Sequence, residues 1–394
     1  MRIVHVITRL ILGGAQENTL LTVDGLHHDH GDDVTLITGP AEGPEGDLFA
    51  RADARGLKVE VMPLLVRAIR PATDLQAYRE LRRSLRRLKP DVVHTHSSKA
   101  GIVGRAAAWD ERVPAVVHTI HGLPFGPSES PMKNRLYMAL ERWAARRCHA
   151  IVSVCDAMTE QALLSGVGRP EQYSTVYSGM DVDAFLDPPR PRDEVRLELG
   201  LKDDEVAFAT VARLFERKGH DDILQAAPAV LKSNPKVRFV FIGDGILRDR
   251  LEADARTLRV GHAVRFTGLV PPDAIPSLLG GVDAVVHPSL REGLARVLPQ
   301  ALLVGRPVIS YDVDGAKEVV LPSTGILLPP RDIEGLTAAI LRLAGDPLLR
   351  ESMGRDGRSR FADQFRHETM TRQLRSLYER TLAGRPMGDR DRTR

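Results

Sequence analysis

The stretch HPSLREGLARVLPQAL, residues 287–302, says more about the fold than any other segment of this chain. It follows the apolar run 284–286, turns through Glu292 and Gly293, and continues with apolar residues at helical spacing. A short apolar run, a glycine turn and a helical pattern predict a buried strand that leads through a loop into a helix. Strand–loop–helix units of this kind build parallel α/β sheets.

The loop of this unit carries candidate ligand-binding groups. Glycine lets a backbone approach a ligand closely, and the free N–H groups of Gly293, Leu294 and Ala295 at the start of the predicted helix could hold a diphosphate. The Glu292 carboxylate can accept hydrogen bonds from sugar hydroxyls. Gln300 lies eight positions after Glu292, which is about two helical turns. We therefore expect its side chain to project toward the same ligand-binding cleft as Glu292.

Short β-branched runs alternate with longer amphipathic segments along the rest of the chain. The continuous apolar character of the runs is typical of parallel strands buried on both faces, so the alternation predicts doubly wound α/β sheets. The predicted strands are 3–7, 33–37, 59–62, 91–95, 115–119, 150–154, 206–211, 237–242, 264–266, 284–287, 307–310 and 325–328, and the clearest predicted helices are 15–28, 73–88, 132–147 and a helical tail over 346–382.

A proline-rich segment divides this alternation into two halves. Asp187–Pro191 contains three prolines and cannot sustain a helix or a central strand. We therefore predict a Rossmann-like first lobe at 1–180, a Rossmann-like second lobe at 181–360, and a C-terminal helix with a frayed tail at 361–394 that packs back toward the first lobe. Two doubly wound lobes should face a central cleft between the carboxyl ends of their sheets, where phosphate-bearing ligands bind.

Composition limits the class of protein. The chain has 394 residues, 43% of them hydrophobic, and a formal charge of +3, as expected for a globular protein of two or three domains. The apolar opening at residues 3–7 breaks too soon for a signal peptide, and no run approaches the roughly 18 apolar residues of a membrane span. Two cysteines exclude a disulfide framework. We expect a cytoplasmic protein, with peripheral contact at the inner membrane surface as an open alternative.

The motifs, taken in order, resemble one enzyme family. The chain from Glu292 to Gln300 is similar to the glutamate-x7-glutamate signature of the family-4 retaining glycosyltransferases, which have the GT-B fold. The other landmarks of the resemblance are residues 10–17, 94–96, 118–122, 212–219, 241–245 and 266–270. The resemblance covers nearly the whole chain and implies transfer of a sugar from a nucleotide diphosphate donor with retention of the anomeric configuration.

The resemblance implies roles for four catalytic residues. Arg213 and Lys218 match the basic pair that neutralises the donor diphosphate, which leaves with developing negative charge. Glu292 would orient the transferred sugar. His121 matches a first-lobe histidine near the reacting sugar, where it would contact a sugar hydroxyl or hold the acceptor. The leaving phosphate itself would deprotonate the acceptor.

Further residues match substrate-binding positions. Gly13 and Gly14 resemble the flexible loop that contacts donor and acceptor, and the backbone at Val270 would face the nucleotide base. The family's second glutamate, which binds the donor ribose, is Gln300 here. Because glutamine keeps a carbonyl acceptor but loses the charge, and charge-assisted hydrogen bonds are about twice as strong as neutral ones, we expect weaker or altered ribose recognition.

No cofactor or metal is expected. The amino-acid sequence contains no metal-binding motif. His94 and His96 have no carboxylate or cysteine at a spacing that would complete a metal site. The nucleotide diphosphate-sugar is a substrate.

Two segments of the first lobe are strongly basic. Residues 67–89 contain eight basic and two acidic side chains, and 132–147 contain five basic and one acidic. Basic amphipathic helices can lie on anionic membranes, so these segments indicate either a membrane contact or simply a solvated face. If the chain does contact a membrane there, we expect its acceptor to be a saccharide or a lipid-linked molecule, and its reaction to belong to the synthesis of cell-surface polysaccharide or glycolipid. Nucleic acid is not expected, since no aromatic platform accompanies the arginines.

Two alternatives remain at this stage. Gln300 leaves open a catalytically silent nucleotide-sugar binding protein of the same fold. A nicotinamide-dependent dehydrogenase is disfavoured, because neither lobe has Gly-x-Gly-x-x-Gly after its first strand with an acidic residue about 20 positions later.

Overall fold

The computed structural model describes residues 1–41, 46–126 and 129–384. The chain forms two compact units, each built on its own parallel sheet. Unit 1 comprises Met1–Met180 and Arg366–Arg394, and unit 2 comprises Asp181–Phe365. The predicted frayed tail from residue 385 lies outside the described residues.

Unit 1 is a doubly wound sheet with the strand order β3-β2-β1-β4-β5-β6-β7. Its apolar strands are buried on both faces, as in Val92–His96, where every residue is buried. The strands are Arg2–Ile7 (β1), Asp33–Thr38 (β2), Lys58–Val61 (β3), Val92–His96 (β4), Ala115–Ile120 (β5), Ala150–Ser153 (β6) and Tyr173–Thr175 (β7). The helices are Gly14–His28 (α1), Phe49–Ala54 (α2), Pro71–Leu88 (α3), Ser98–Asp110 (α4), Pro131–Ala145 (α5) and Asp156–Leu164 (α6).

Unit 2 repeats this plan with the order β10-β9-β8-β11-β12-β13. The strands are Val206–Val211 (β8), Val237–Ile242 (β9), Val264–Gly268 (β10), Ala284–His287 (β11), Val308–Tyr311 (β12) and Gly325–Leu328 (β13). The helices are Asp183–Leu186 (α7), Arg192–Glu198 (α8), His220–Ser233 (α9), Arg248–Thr257 (α10), Ile275–Gly281 (α11), Val297–Leu303 (α12), Ile333–Gly345 (α13) and Pro347–Phe361 (α14). Short 3₁₀ helices occupy Pro170–Gln172 in unit 1 and Gly261–Ala263, Pro272–Ala274 and Asp314–Glu318 in unit 2.

The last helix, His367–Ala383 (α15), returns to unit 1 and packs on α1 and β5. Its apolar side Met370, Leu374, Leu377 and Tyr378 is buried in the unit 1 core. Unit 1 is therefore made of two separate parts of the chain.

The predicted α/β class with two Rossmann-like sheets is confirmed, and every predicted strand is present within two residues at each end. The structure adds β7, whose residues are half-buried and lack an apolar run. The proline-rich segment Asp187–Pro191 lies inside unit 2, between α7 and α8. Unit 2 extends to Phe365, five residues beyond the end given above for the second lobe.

Candidate functional site

The candidate donor site of unit 2 lies where its strand order reverses. β8 is flanked by β9 on one side and by β11 on the other, so the connections after β8 and β11 leave the sheet in opposite directions. Ligands of doubly wound sheets bind at this switch point, outside the carboxyl ends of the strands. The loops after β8 and β11 contain Arg213 and Lys218 on one side and Glu292 and Gly293 on the other.

These two loops pack tightly against each other. Gly219 has φ +79°, and a Cβ atom there would lie 2.1 Å from the carbonyl oxygen of Pro288. The carbonyl oxygen of Arg217 accepts hydrogen bonds from the Leu290 N–H at 2.8 Å and from the Ser289 hydroxyl at 3.2 Å. Only glycine fits at position 219. The loop after β8 therefore needs this glycine in order to approach the loop after β11 so closely.

The contact between the loops positions two of the candidate catalytic residues. The Lys218 ammonium lies 2.5 Å from Oε1 of Glu292, with 24% and 18% of the two side chains exposed. His287, at the end of β11, donates from Nε2 to the same oxygen at 3.2 Å. The Glu292 N–H donates to Oδ2 of Asp314 at 2.8 Å. The carboxylate therefore accepts hydrogen bonds from one ammonium and one imidazole, while Asp314 holds the backbone of the same residue.

Electrostatics keep Glu292 ionised. Burial alone would raise the pKa of this carboxyl, but the hydrogen bonds and charges of His287 and Lys218 outweigh burial and lower the pKa to about 2. Because an ionised carboxylate can only accept hydrogen bonds, His287 donates to it through an N–H at Nε2. Sequence reasoning gave no role to His287 or Asp314. The signal for His287 was its position at the end of a strand at the switch point.

The backbone after Glu292 differs from the prediction. The helix begins at Val297, so Gly293, Leu294 and Ala295 lie in a loop before the helix rather than in its first turn. Pro299 explains the difference. In a helix starting near Gly293 it would occupy the interior, where proline lacks the N–H that must bond to the preceding turn.

This later start also changes the position of Gln300. Only part of the path from Glu292 to Gln300 is helical, so the two-turn spacing assumed above is wrong. Gln300 is half-buried, and its side chain has no hydrogen bond to any other described residue.

Two other candidates of unit 2 lie on loops at the carboxyl edge of its sheet. The Arg213 guanidinium is 4.9 Å from the ring centre of Phe215, in the same loop as Lys218. Val270 follows β10 and is half-buried, next to Leu269, which is 71% exposed.

In unit 1, Gly13 and Gly14 lie at the equivalent switch point between β1 and β4. Gly13 precedes α1 and Gly14 is its first residue. A cavity of unit 1, lined in part by residues that follow β1 and β4, measures about 650 Å³, within the range of about 300–1,000 Å³ that is typical of small-molecule sites. The residues lining it include the apolar Ile69, Ile102, Val103, Tyr137 and Leu140 and the basic Arg9, Arg67 and Lys99.

His121 belongs to a chain of histidines in unit 1. It follows β5 and is half-buried, and its Nε2 lies 3.1 Å from Nδ1 of the buried His96. Nε2 of His96 lies 2.9 Å from Nδ1 of His5, which is fully buried on β1. Burial lowers the pKa of His5 to about 3 and, with neighbouring histidines, lowers the pKa of His96 well below its ordinary value. The imidazoles of His5 and His96 are therefore neutral near pH 7.

Three histidines of this region, His5, His94 and His96, have ring nitrogens within 4.8 Å of one another, a spacing that could hold a metal ion. Sequence reasoning grouped only His94 and His96. The hydrogen bonds disfavour chelation, because His5 and His96 direct nitrogens at each other and both nitrogens of His94 are bonded, to the hydroxyls of Tyr378 and Thr119. Metal binding needs lone pairs that converge on one point. We interpret His5, His96 and His121 as a hydrogen-bonded chain, beside which Tyr378 and Thr119 hold His94 separately.

The basic segments of unit 1 are partly neutralised by neighbouring carboxylates. Arg82 and Arg86 on α3 pair with Glu111, and Arg87 pairs with Glu60. On α5, Met132, Leu136 and Trp143 are exposed. Among the described residues, no helix has both the length and the apolar character required to cross a bilayer.

Comparisons with known proteins cover both units. Residues 191–360 match the family of glycosyl transferases group 1, and residues 13–179 match the glycosyl transferase 4-like domain. The chain is 29% identical over 381 residues to the UDP-Gal:alpha-D-GlcNAc-diphosphoundecaprenol alpha-1,3-galactosyltransferase of Escherichia coli, covering 96% of each protein. It is 32% identical over 313 residues to the D-inositol 3-phosphate glycosyltransferase of Jonesia denitrificans, covering 74% of this chain and 72% of that protein.

Solved structures show the same fold. The Anabaena protein HepE in complex with UDP superposes with a TM-score of 0.81 at 22% identity, covering 96% of this chain and 100% of that one. Sequence matches over both units, the two parallel sheets and the loops at the switch point of unit 2 lead to one conclusion: the chain belongs to the group 1 glycosyltransferases and has their GT-B fold of two Rossmann-like domains.

Proposed function

We propose that this chain is a retaining, metal-independent glycosyltransferase that moves a hexose from a uridine diphosphate-sugar to a lipid-linked saccharide. The Lys218–Glu292 ion pair at the switch point of unit 2 carries the proposal. Uridine as the base is supported by the E. coli relative, which is named for UDP-Gal, and by HepE, which is solved with UDP and UDP-glucose.

The ion pair suits a site that must be stable both empty and filled. Without donor, Lys218 and Glu292 neutralise each other, so neither partly buried charge lacks a partner. With donor bound, the Lys218 ammonium and the Arg213 guanidinium would face the diphosphate, and the Glu292 carboxylate would accept hydrogen bonds from sugar hydroxyls. Val270 and the N–H groups of Gly293, Leu294 and Ala295 would contact the nucleotide.

The proposed reaction needs no protein nucleophile. The bond between the anomeric carbon and the diphosphate oxygen breaks, and Arg213 and Lys218 stabilise the charge that develops on that oxygen. The acceptor hydroxyl attacks on the same face of the sugar, and its proton passes to the departing diphosphate. Two fixed cations would supply the positive charge for which other enzymes use a divalent ion.

The cavity of unit 1 supports a lipid-linked acceptor. Its lining combines apolar side chains with three basic and two acidic ones, Arg9, Arg67 and Lys99 against Asp74 and Glu129, and this combination fits an apolar chain joined to an anionic group. The Lys99 ammonium, also in the lining, is paired with Asp74 at 2.5 Å. The E. coli relative is named for a GlcNAc-diphosphoundecaprenol acceptor. We assign acceptor binding to this cavity, with His121, Gly13 and Gly14 of the same unit as further contacts.

A transfer assay tests the proposed function. The chain is incubated with UDP-galactose or UDP-glucose and GlcNAc-diphosphoundecaprenol, with and without EDTA, and the product linkage is determined by NMR. We expect an α-linked product in both conditions and loss of at least about 99% of the rate in Lys218→Ala and Glu292→Gln. The first removes charge stabilisation of the leaving diphosphate, and the second removes charge-assisted hydrogen bonds to the sugar. Lys232→Ala, which removes an exposed charge from α9, is the matched control.

Several outcomes would contradict parts of the proposal. A β-linked product would refute retention, and abolition by EDTA would refute metal independence. UDP binding without transfer or hydrolysis of any donor would favour the silent binding protein.

Membrane association of unit 1 is a separate part of the proposal. Met132, Leu136 and Trp143 project from α5 beside basic side chains, as in helices that lie at a membrane surface. Flotation with phosphatidylglycerol vesicles should therefore decrease in Met132→Ser/Leu136→Ser. The control is Leu164→Ser on α6, which removes a leucine that is 82% exposed. Equal flotation of all three proteins would refute a membrane contact through α5.

A further inference from the structure

A second charged pocket lies at the opposite edge of the unit 2 sheet. Asp283 precedes β11 and Arg306 precedes β12, whereas Lys218 and Glu292 follow the carboxyl ends of β8 and β11. Because the strands are parallel, the two groups mark opposite ends of the sheet. The cavity at the Asp283 end has a volume of about 430 Å³. Its lining contains the five arginines Arg192, Arg306, Arg350, Arg355 and Arg358.

Positive charge exceeds negative charge in this pocket. The five guanidinium groups face two carboxylates, Asp283 and Glu351. Asp283 is already engaged, because it pairs with Arg192 at 2.8 Å and with Arg196 at 3.3 Å and accepts the Ala207 N–H at 2.8 Å. The remaining cations therefore lack a full set of counter-charges.

Arg306 shows the effect of this excess. Burial, together with the charges of Arg192, Arg196 and Arg350, lowers the pKa of Arg306 to about 10, against the opposing effect of Asp283. Its Nη2 donates to the Gly280 carbonyl at 2.6 Å, but its Nε is buried and has no hydrogen-bond partner among the described residues. An unsatisfied buried donor on a cation is costly, and the Arg306 charge adds to the positive potential at the wall of the pocket.

Arg355 provides a set of available donors. It lies on α14, is exposed, and forms no hydrogen bond or ion pair with any other described residue. Arg192, Arg350 and Arg358 each also donate to backbone carbonyls, so the shape of the pocket is fixed by the fold itself.

We propose that the arginine pocket, lined by Arg192, Arg306, Arg350, Arg355 and Arg358, binds a phosphate-bearing anion at a site distinct from the donor site. Guanidinium forks match the oxygens of phosphate, and several forks around one cavity favour a multiply charged group over a single carboxylate. The volume suits a small phosphorylated molecule or the headgroup of an anionic phospholipid.

Calorimetric titration with inorganic pyrophosphate tests the proposal on the full chain. Lys218→Ala serves as background, because it weakens diphosphate binding at the donor site. In this background we expect Arg355→Gln to reduce pyrophosphate affinity at least tenfold. Arg360→Gln, which removes an exposed arginine from the same helix outside the pocket, should change it less than twofold. Both substitutions are at exposed positions, so the fold should persist.

A parallel titration with dihexanoyl phosphatidylglycerol, against dihexanoyl phosphatidylcholine, distinguishes the source of the phosphate. Binding of pyrophosphate that depends on Arg355 supports a soluble ligand. Binding of phosphatidylglycerol alone that depends on Arg355 supports a lipid headgroup. The proposal is overturned if neither probe binds, or if Arg355→Gln and Arg360→Gln bind both probes equally. In that case the arginines only stabilise the fold through their hydrogen bonds to backbone carbonyls. None of these outcomes depends on sugar transfer.

Discussion

The Lys218–Glu292 ion pair makes a quantitative prediction about acid stability. The pKa of Glu292 is lowered from its ordinary 4.5 to about 2, which corresponds to about 3 kcal/mol at 1.36 kcal/mol per unit. Because the folded-state pKa lies below the unfolded one, this stabilisation is complete above pH 4.5 and is lost as the pH falls through about 2. Lys218→Met removes one partner and leaves His287. We expect the pKa of Glu292 to rise by at least about one unit, with a loss of about 1.4 kcal/mol or more at pH 7.

The measurement is a carboxyl ¹³C titration of glutamate-labelled protein, with the Glu292 signal assigned by its absence in Glu292→Gln. In the native chain this signal should not move between pH 6 and pH 3.5, while exposed glutamates titrate. Urea denaturation at pH 7 gives the stability change. Lys236→Met is the matched control, because Lys236 pairs with Asp204 at 3.0 Å on the surface of the same unit, with both side chains about 60% exposed. A native midpoint of 4 or higher, or equal destabilisation by the two lysine substitutions, would refute the reasoning.

Three further predictions concern individual contacts. Gly219→Ala forces alanine into φ +79° against the Pro288 carbonyl and should cost at least about 2 kcal/mol of unfolding free energy in urea; unchanged stability would contradict the packing of the two loops. Gln300→Glu should lower the KM for UDP-galactose up to about tenfold with kcat nearly constant, and an unchanged KM would remove Gln300 from the ribose site. Arg105 is fully buried and forms an ion pair with Glu141 at 2.6 Å. Glu141→Ala leaves this buried cation without a carboxylate partner and should lower the free energy of unfolding by about 3–5 kcal/mol. Tryptophan fluorescence reports this loss, because both tryptophans are in unit 1, and a loss below about 1 kcal/mol would contradict it.

Most of the fold was predictable because strands buried on both faces leave a strong local signal. Runs such as 237–242, apolar except for Arg238, are typical of central strands of a parallel sheet. β7 escaped prediction because it is short and half-buried, and pairing with β6, rather than its own sequence, makes it a strand. Pro299 favours a late start of α12, since proline suits a first turn better than a helix interior, although α9 does contain the interior proline Pro228.

The site was harder to predict because its contacts depend on which strands are neighbours. Lys218 and Glu292 are 74 residues apart and meet because β8 and β11 are adjacent. The same holds for His5 and His94, which are paired directly across β1 and β4. Periodicity identifies strands but not their order, so contacts of this kind become predictable only when a topology is assumed.

The return of α15 to unit 1 has a consequence for how the protein is made. Residues 181–365 are continuous, so unit 2 can complete its core as soon as they have left the ribosome. Unit 1 is synthesised first, but the face of its core that receives Met370, Leu374 and Tyr378 stays open until the last helix emerges. The half of the protein that is translated earliest is therefore the half that finishes folding last.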